Sequence, residues 1–156
     1  MTERVSARVL LIDEASRVLL VSSRDPDDGI LVWYTPGGRV EDGEDLRTAA
    51  LREIEEETGV ALDDVTGPIW ERHFPHTFDG RFIDGHEWFF VAHVDASQIR
   101  EVAETDEGAC YFEGWGWWTL DEIRSFDGIF APRRLADLLG SLLAGELPSA
   151  PILTGD

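Results

Sequence analysis

Gly38 to Val60 reads GRVEDGEDLRTAALREIEEETGV, a glycine turn followed by a helical pattern that closes on a second glycine. Asp45 is the expected N-cap, because its carboxylate can accept from a backbone N–H left unpaired in the first turn. Leu46, Ala49, Ala50, Leu51 and Ile54 supply an apolar side, and Gly59 suits the left-handed residue that ends a helix. Glu53, Glu56 and Glu57 then fall at i, i+3 and i+4, so one turn presents three carboxylates on one face. Like charges so placed repel. Either the face is solvated, with Arg52 and Glu56 as an ordinary i,i+4 pair, or a hard divalent cation such as Mg²⁺ or Mn²⁺ neutralises it through oxygen ligands.

The flanks complete the fold class. Val5 to Ile12 and Arg17 to Ser22 read as short strands joined by the turn-forming Asp13 to Ser16, and their continuous apolar runs predict burial on both faces. Arg24 to Gly29, RDPDDG, is a polar loop, and Leu31 to Tyr34 is a brief strand that stops at Pro36, Gly37 and Gly38. Thr66 to Phe78 and Arg81 to Val94 flank Asp79-Gly80, a hairpin signal, with Trp88, Phe89, Phe90 and Val91 as core. Asp95 to Cys110 is an acidic connection with a helical turn, followed by a short strand ending in Trp117 and Trp118. Thr119 and Glu122 form a capping box for a helix starting at Leu120. Ala131 to Ala144 predicts a last amphipathic helix, and residues 148–156 an extended or frayed tail. Strands interrupted by two substantial helices predict an α/β fold, and 156 residues predict one domain over 1–156.

Composition bounds the partners. A formal charge of −19 weighs against binding a nucleic-acid polymer, which requires a basic footprint, yet leaves room for a small phosphate ester held through metal. No apolar stretch approaches the roughly 18 residues of a membrane span, so no membrane partner is expected. The first residues lack the pattern of a secretory signal, and a cytoplasmic location is the default expectation. The lone Cys110 agrees with a reducing compartment.

The spacing within the opening stretch is more informative than its charge. Gly38, five residues, Glu44, seven residues, Arg52, Glu53, Ile54, one residue, Glu56, Glu57, one residue, Gly59 and Val60 match, at every fixed position, the signature of the Nudix hydrolases. With residue usages of about one in fifteen, such a pattern arises by chance on the order of 10⁻⁹ times per starting position, or about tenfold more often in an acidic chain. The chain therefore resembles a family that cleaves nucleoside diphosphates linked to another moiety, the group that includes the MutT-like enzymes.

That resemblance implies an α/β/α sandwich on a mixed, curved β-sheet, with the box forming a loop, helix, loop unit. It implies Mg²⁺ or Mn²⁺ as cofactor. Glu56 and Glu57 would be the principal metal ligands, Glu53 a third ligand or the base, and Gly38 a ligand through its main-chain oxygen. Arg52 would fix the glutamate rotamers, and Glu44 would brace the loop. Relatives often dimerise, so a homodimer is the assembly to test.

Other candidates lie outside the box. Relatives place an additional acid before the late strand, and Glu107 and Glu113 are available as extra ligand or base, or as surface acids. Arg24 and Arg39 flank the expected phosphate site. Trp33 and Tyr34 can stack on a nucleobase or pack in the sheet, whereas Trp70 and Phe74 are assigned to packing. His73 and His76 are three apart, which on a strand places them on opposite faces and argues against a metal pair. Pro75 lies fifteen residues beyond Val60, resembling the spacing of ADP-ribose pyrophosphatases.

The function expected is metal-dependent pyrophosphohydrolysis by water attack at phosphorus. Its substrate would be a small nucleotide: a nucleoside triphosphate, an oxidised dNTP or an ADP-ribose-like compound. The alternative is a non-catalytic nucleotide-sugar sensor on the same fold, although such regulators often lose box glutamates or append a DNA-binding domain. An isoprenoid isomerase would need a placed reactive cysteine, and only Cys110 is available.

Overall fold

The computed structural model describes residues 2–103 and 111–156. Its first strand, β1 (Thr2–Ile12), sets the layers. Alternation sends Ala7, Val9 and Leu11 into one core cluster with Ala49, Ala50 and Ile54, while Leu10 and Ile12 join a second with Leu135, Leu138, Leu139 and Leu142. Helix α1 (Leu46–Thr58) therefore covers one face of the sheet. Helix α3 (Leu135–Leu143) covers the other, behind the short α2 (Leu120–Ser125). This is the α/β/α sandwich expected.

The remaining strands are β2 (Val18–Arg24), β3 (Leu31–Tyr34), β4 (Gly37–Arg39), β5 (Thr66–Phe78), β6 (Arg81–His93), β7 (Phe112–Trp118), β8 (Ile129–Ala131) and β9 (Ile152–Leu153). Along the main path the order is β8-β3-β2-β1-β6-β5-β9, with β4 on β1 and β7 on β2. β1 runs parallel to β6 from Thr2↔Ile83 to Ile12↔His93. Its opposite edge is shared: Ser6 to Arg8 pair with β4, and Ile12 pairs with Val18 of β2. Because two strands divide that edge, the sheet curls there and β4 ends beside the C-terminal half of α1.

Local signals hold where the chemistry is local. Asp45 Oδ1 accepts from the Thr48 amide at 2.7 Å, and Gly59 closes α1 at φ 80° with its N–H on Glu55 O. Asp79 and Gly80 both take positive φ, 52° and 76°, as a tight hairpin between β5 and β6 requires. Thr119 and Glu122 exchange both bonds of the capping box, at 3.1 and 2.9 Å.

Two expectations are corrected and one alternative is decided. Gly37–Arg39 forms a strand, which two glycines without side-chain periodicity concealed. The last helix starts at Leu135 rather than Ala131, because Pro132 lacks an N–H and biases Ala131 to an extended conformation, where it ends β8. The final segment is extended but not frayed: Ile152 and Leu153 pair with Trp70 and Glu71 of β5, and Thr154 is fully buried with its amide on Glu71 O.

Candidate active site

Helical spacing divides the three box glutamates. Glu53 and Glu57, one turn apart, lie on the side of α1 turned to the sheet and are only 4% and 6% exposed; Glu56 faces outward. The buried pair abuts β4. Gly37, at φ 145°, approaches β1 so closely that a Cβ would lie 2.2 Å from Ala7 O. Its N–H donates to Glu57 Oε2 at 3.2 Å. At Gly38 a Cβ would lie 2.6 Å from Glu53 Cδ and 2.7 Å from both its oxygens. The missing side chain makes room for the carboxylate.

Arg52 organises the group. Its Nε and Nη2 donate to the two oxygens of Glu44, both at 2.8 Å, while Nη1 donates to Glu53 Oε1 at 2.9 Å and Glu56 Oε2 at 3.3 Å. Nη2 also reaches Arg39 O at 3.0 Å, tying the helix to β4. Glu44 Oε1 accepts from the Glu41 amide as well, at 3.1 Å. The Arg52 hydrogen bonds hold the Glu44 carboxyl below its ordinary range, against the opposing effect of burial, and raise the Arg52 guanidinium further above its own.

The donor set suits a hard cation. Among the described residues, no three acidic, histidine or cysteine side chains form a complete metal cage. Mg²⁺ does not require one, since it is usually held by one or two carboxylates together with waters and substrate phosphate. The cradle at Gly38, with two buried carboxylates beside it, fits that arrangement.

Behind the loop lies a cleft of about 320 Å³, lined by Arg4, Arg8, Arg24, Tyr34, Arg72 and Phe74 among others. Strand alternation separates the aromatic candidates. Tyr34 lines the cleft, with its hydroxyl 2.6 Å from Ser23 Oγ, whereas Trp33 turns away and packs edge-on against Trp118 at 5.0 Å. Trp70 is core, as expected. Phe74 instead lines the cleft, with the Arg72 guanidinium 3.7 Å from its ring and the His76 ring stacked on it at 4.3 Å. His76 shares this side, while His73 pairs with Asp84 and lies outside the cleft lining. Pro75 lies between them, opposite Asp84 of β6.

Arg24 lines the cleft and is engaged by Glu113 at 2.8 Å and by Gly29 O at 2.8 Å. That contact lowers the Glu113 carboxyl below its usual range and makes this acid the partner of an arginine. Arg39 is exposed and contributes its carbonyl to Arg52. Glu107 and Cys110 lie outside the described residues. Arg8, Arg72 and Glu87 were missed by sequence reasoning. Their one signal was a charged residue inside an apolar strand, which is retained only when it is paired.

The NUDIX domain family model matches residues 2–139, and the chain belongs to the Nudix hydrolase family. An RNA pyrophosphohydrolase of Dinoroseobacter shibae is 51% identical over 137 residues, covering 81% of each chain. A putative 8-oxo-dGTP diphosphatase of Bacillus subtilis is 45% identical over 101 residues, 64% of this chain and 60% of that protein. Among solved structures, a MutT NUDIX hydrolase from Burkholderia pseudomallei superposes with a TM-score of 0.60 at 29% identity, covering 87% of this chain and 96% of that one. No helix among the described residues is long and apolar enough to cross a membrane.

Proposed function

We propose that this hydrolase cleaves the anhydride of a nucleoside diphosphate linked to a further group, with Mg²⁺ or Mn²⁺ held by Glu56, Glu57 and Gly38 O and with Glu53 as a third ligand or the base. The observation that carries this reading is the burial of Glu53 and Glu57 against the Gly37–Gly38 loop under the Arg52 brace. When bound, the cation neutralises substrate charge and lowers the pKa of a coordinated water. Water attacks phosphorus, a P–O bond forms, the bridging P–O bond breaks, and its electron pair leaves with the departing phosphate. The water's proton passes to a box carboxylate, with Glu53 the candidate because its side chain is buried and oriented by Arg52. Arg52 and Glu44 touch no substrate in this scheme; they hold the rotamers of the reacting carboxylates.

The cleft supplies the other half. Arg4 and Arg24 on its lining suit phosphate oxygens, and Tyr34 offers an aromatic surface for a base. Arg24 at the rim is released to substrate by giving up Glu113. Small nucleotides, including nucleoside triphosphates and oxidised dNTPs, are the first substrates to test, in a single domain working in the cytoplasm. A second reading, pyrophosphohydrolysis on an RNA, is favoured by the 51% identical relative, an RNA pyrophosphohydrolase. A formal charge of −19 weighs against extended contact with such a polymer.

The test is a panel of NTPs, oxidised dNTPs, ADP-ribose, dinucleoside polyphosphates, nucleotide sugars and a 5′-triphosphorylated oligonucleotide, assayed with each metal. Turnover of at least one member supports the reading. Binding without turnover across the panel overturns it in favour of a sensor.

A further inference from the structure

Four charged side chains of alternating sign, three of which line the cleft, run from Asp156 to the back of the metal-binding loop. Asp156 Oδ2 lies 3.2 Å from Arg72 Nε and 3.1 Å from Nη2. Arg72 Nη1 donates to Glu87 Oε1 at 2.8 Å, and Glu87 Oε2 accepts from Arg8 Nε at 2.8 Å. Arg8 Nη1 ends the series on backbone, 3.1 Å from Gly37 O and 3.5 Å from Thr35 O. All four side chains are at least 85% buried, with exposures of 15%, 5%, 15% and 12% in that order.

Such a series is poor economy for stability alone, because desolvating ions commonly cancels their attraction and apolar replacements often do as well. Its value lies in direction. Alternation sets each charge against an opposite one, and Nη1 of the last arginine donates to carbonyls at and just before the loop. Gly37 is held from both sides, by Arg8 on its oxygen and Glu57 on its nitrogen. The far end is anchored too: Asp156 accepts from the Arg133 amide at 3.0 Å and from Thr154 Oγ1 at 3.0 Å, and β9 pins the segment to β5.

We infer that Asp156, Arg72, Glu87 and Arg8 form a positioning relay that holds the Gly37–Gly38 loop in the conformation that binds metal, so that docking of the 152–156 segment sets metal affinity. This rests on the metal-site reading above. It assigns the tail a role in the site although the tail contributes no group to it.

The relay is tested on the full chain with Mn²⁺ alone, bound metal being read from loss of the free-ion EPR signal. Glu87→Gln keeps the shape but places an amide N–H against one arginine. Its Mn²⁺ affinity is expected to fall about tenfold, as for loss of a supporting shell. Asp156→Asn, at the remote end, gives a smaller loss in the same direction, while Asp84→Asn, outside the relay, stays at wild type. Amide exchange over residues 35–40 in the metal-free protein accelerates in the first two. Should Glu87→Gln fail to fold, Asp156→Asn decides alone. Wild-type Mn²⁺ affinity in the folded relay variants overturns the inference, even if the wild-type protein hydrolyses members of the panel. A wild type that binds no Mn²⁺ overturns both readings, and one that binds it without cleaving any substrate overturns only the hydrolytic one.

Discussion

Arg52 meets Glu44 as a fork meets a fork, Nε and Nη2 each 2.8 Å from one oxygen of the same carboxylate. Two parallel charge-assisted bonds fix the plane of the guanidinium, which is why its remaining nitrogen reaches Glu53 and Glu56 from a defined direction. The pair joins the loop before α1 to the helix face that presents Glu53 and Glu56.

Arg52→Lys breaks that geometry while keeping the charge, because an ammonium cannot make the planar double contact. We expect a 10- to 100-fold loss of Mn²⁺-dependent kcat/KM, with the thermal unfolding midpoint lowered by only a few degrees. Steady-state kinetics alongside a thermal melt decide it, and wild-type kcat/KM in the lysine variant would remove the brace from the argument.

Glu56→Gln and Glu57→Gln test the ligands. An amide preserves volume, and at position 57 it still offers an oxygen to Gly37 N–H, so both variants fold. Each is expected to lose at least about 100-fold in turnover, more than the loss of a supporting group, because a hard anionic donor is removed. Full activity in either one contradicts its assignment.

Gly38→Ala puts a methyl where a Cβ would sit 2.6 Å from Glu53 Cδ, so the buried carboxylate or the loop must move. Overpacking of this kind costs about 1–3 kcal/mol. Urea unfolding should register that loss together with a fall in kcat, whereas Thr119→Ala, which removes only the α2 cap, should cost about 1 kcal/mol and leave kcat unchanged.

Glu87 supplies a pH signature. Burial alone would raise its pKa, but Arg8 and Arg72 outweigh burial and hold it at about 2, against an ordinary value of 4.5. A depressed carboxylate contributes stability that is complete above the unfolded value and lost as pH falls through the folded one. Between pH 5 and 2 this amounts to on the order of 3 kcal/mol, so Glu87→Gln should flatten the acid limb of a urea-derived stability profile by that amount. An unchanged slope would contradict the ion pairing.

Much of the fold was legible because its determinants are short-range. The Asp45 cap, the Gly59 terminus, the Asp79-Gly80 hairpin and the Thr119-Glu122 box each depend on residues within a few positions, and the structure shows each of them. What escaped was short or set by partners: three-residue β4, with two glycines, and β8 and β9, which exist because β3 and β5 offer them an edge. Trp33 and Tyr34 were equivalent on paper, and only the turn of one strand sent the first to Trp118 and the second to the cleft.

The sequence by itself determined the helix that carries the box, since a periodic spacing encodes which side chains share a helical face, and its resemblance to the Nudix signature implied the class of reaction. Tertiary structure decided that Glu53 and Glu57 are buried against Gly37 and Gly38 while Glu56 remains outside, and that Arg24 belongs with Glu113. It alone assembled Arg8, Glu87, Arg72 and Asp156, whose successive contacts span 79, 15 and 84 residues of chain. No local pattern encodes such contacts, because strand order and register bring those charges together and burial then requires that each find its partner.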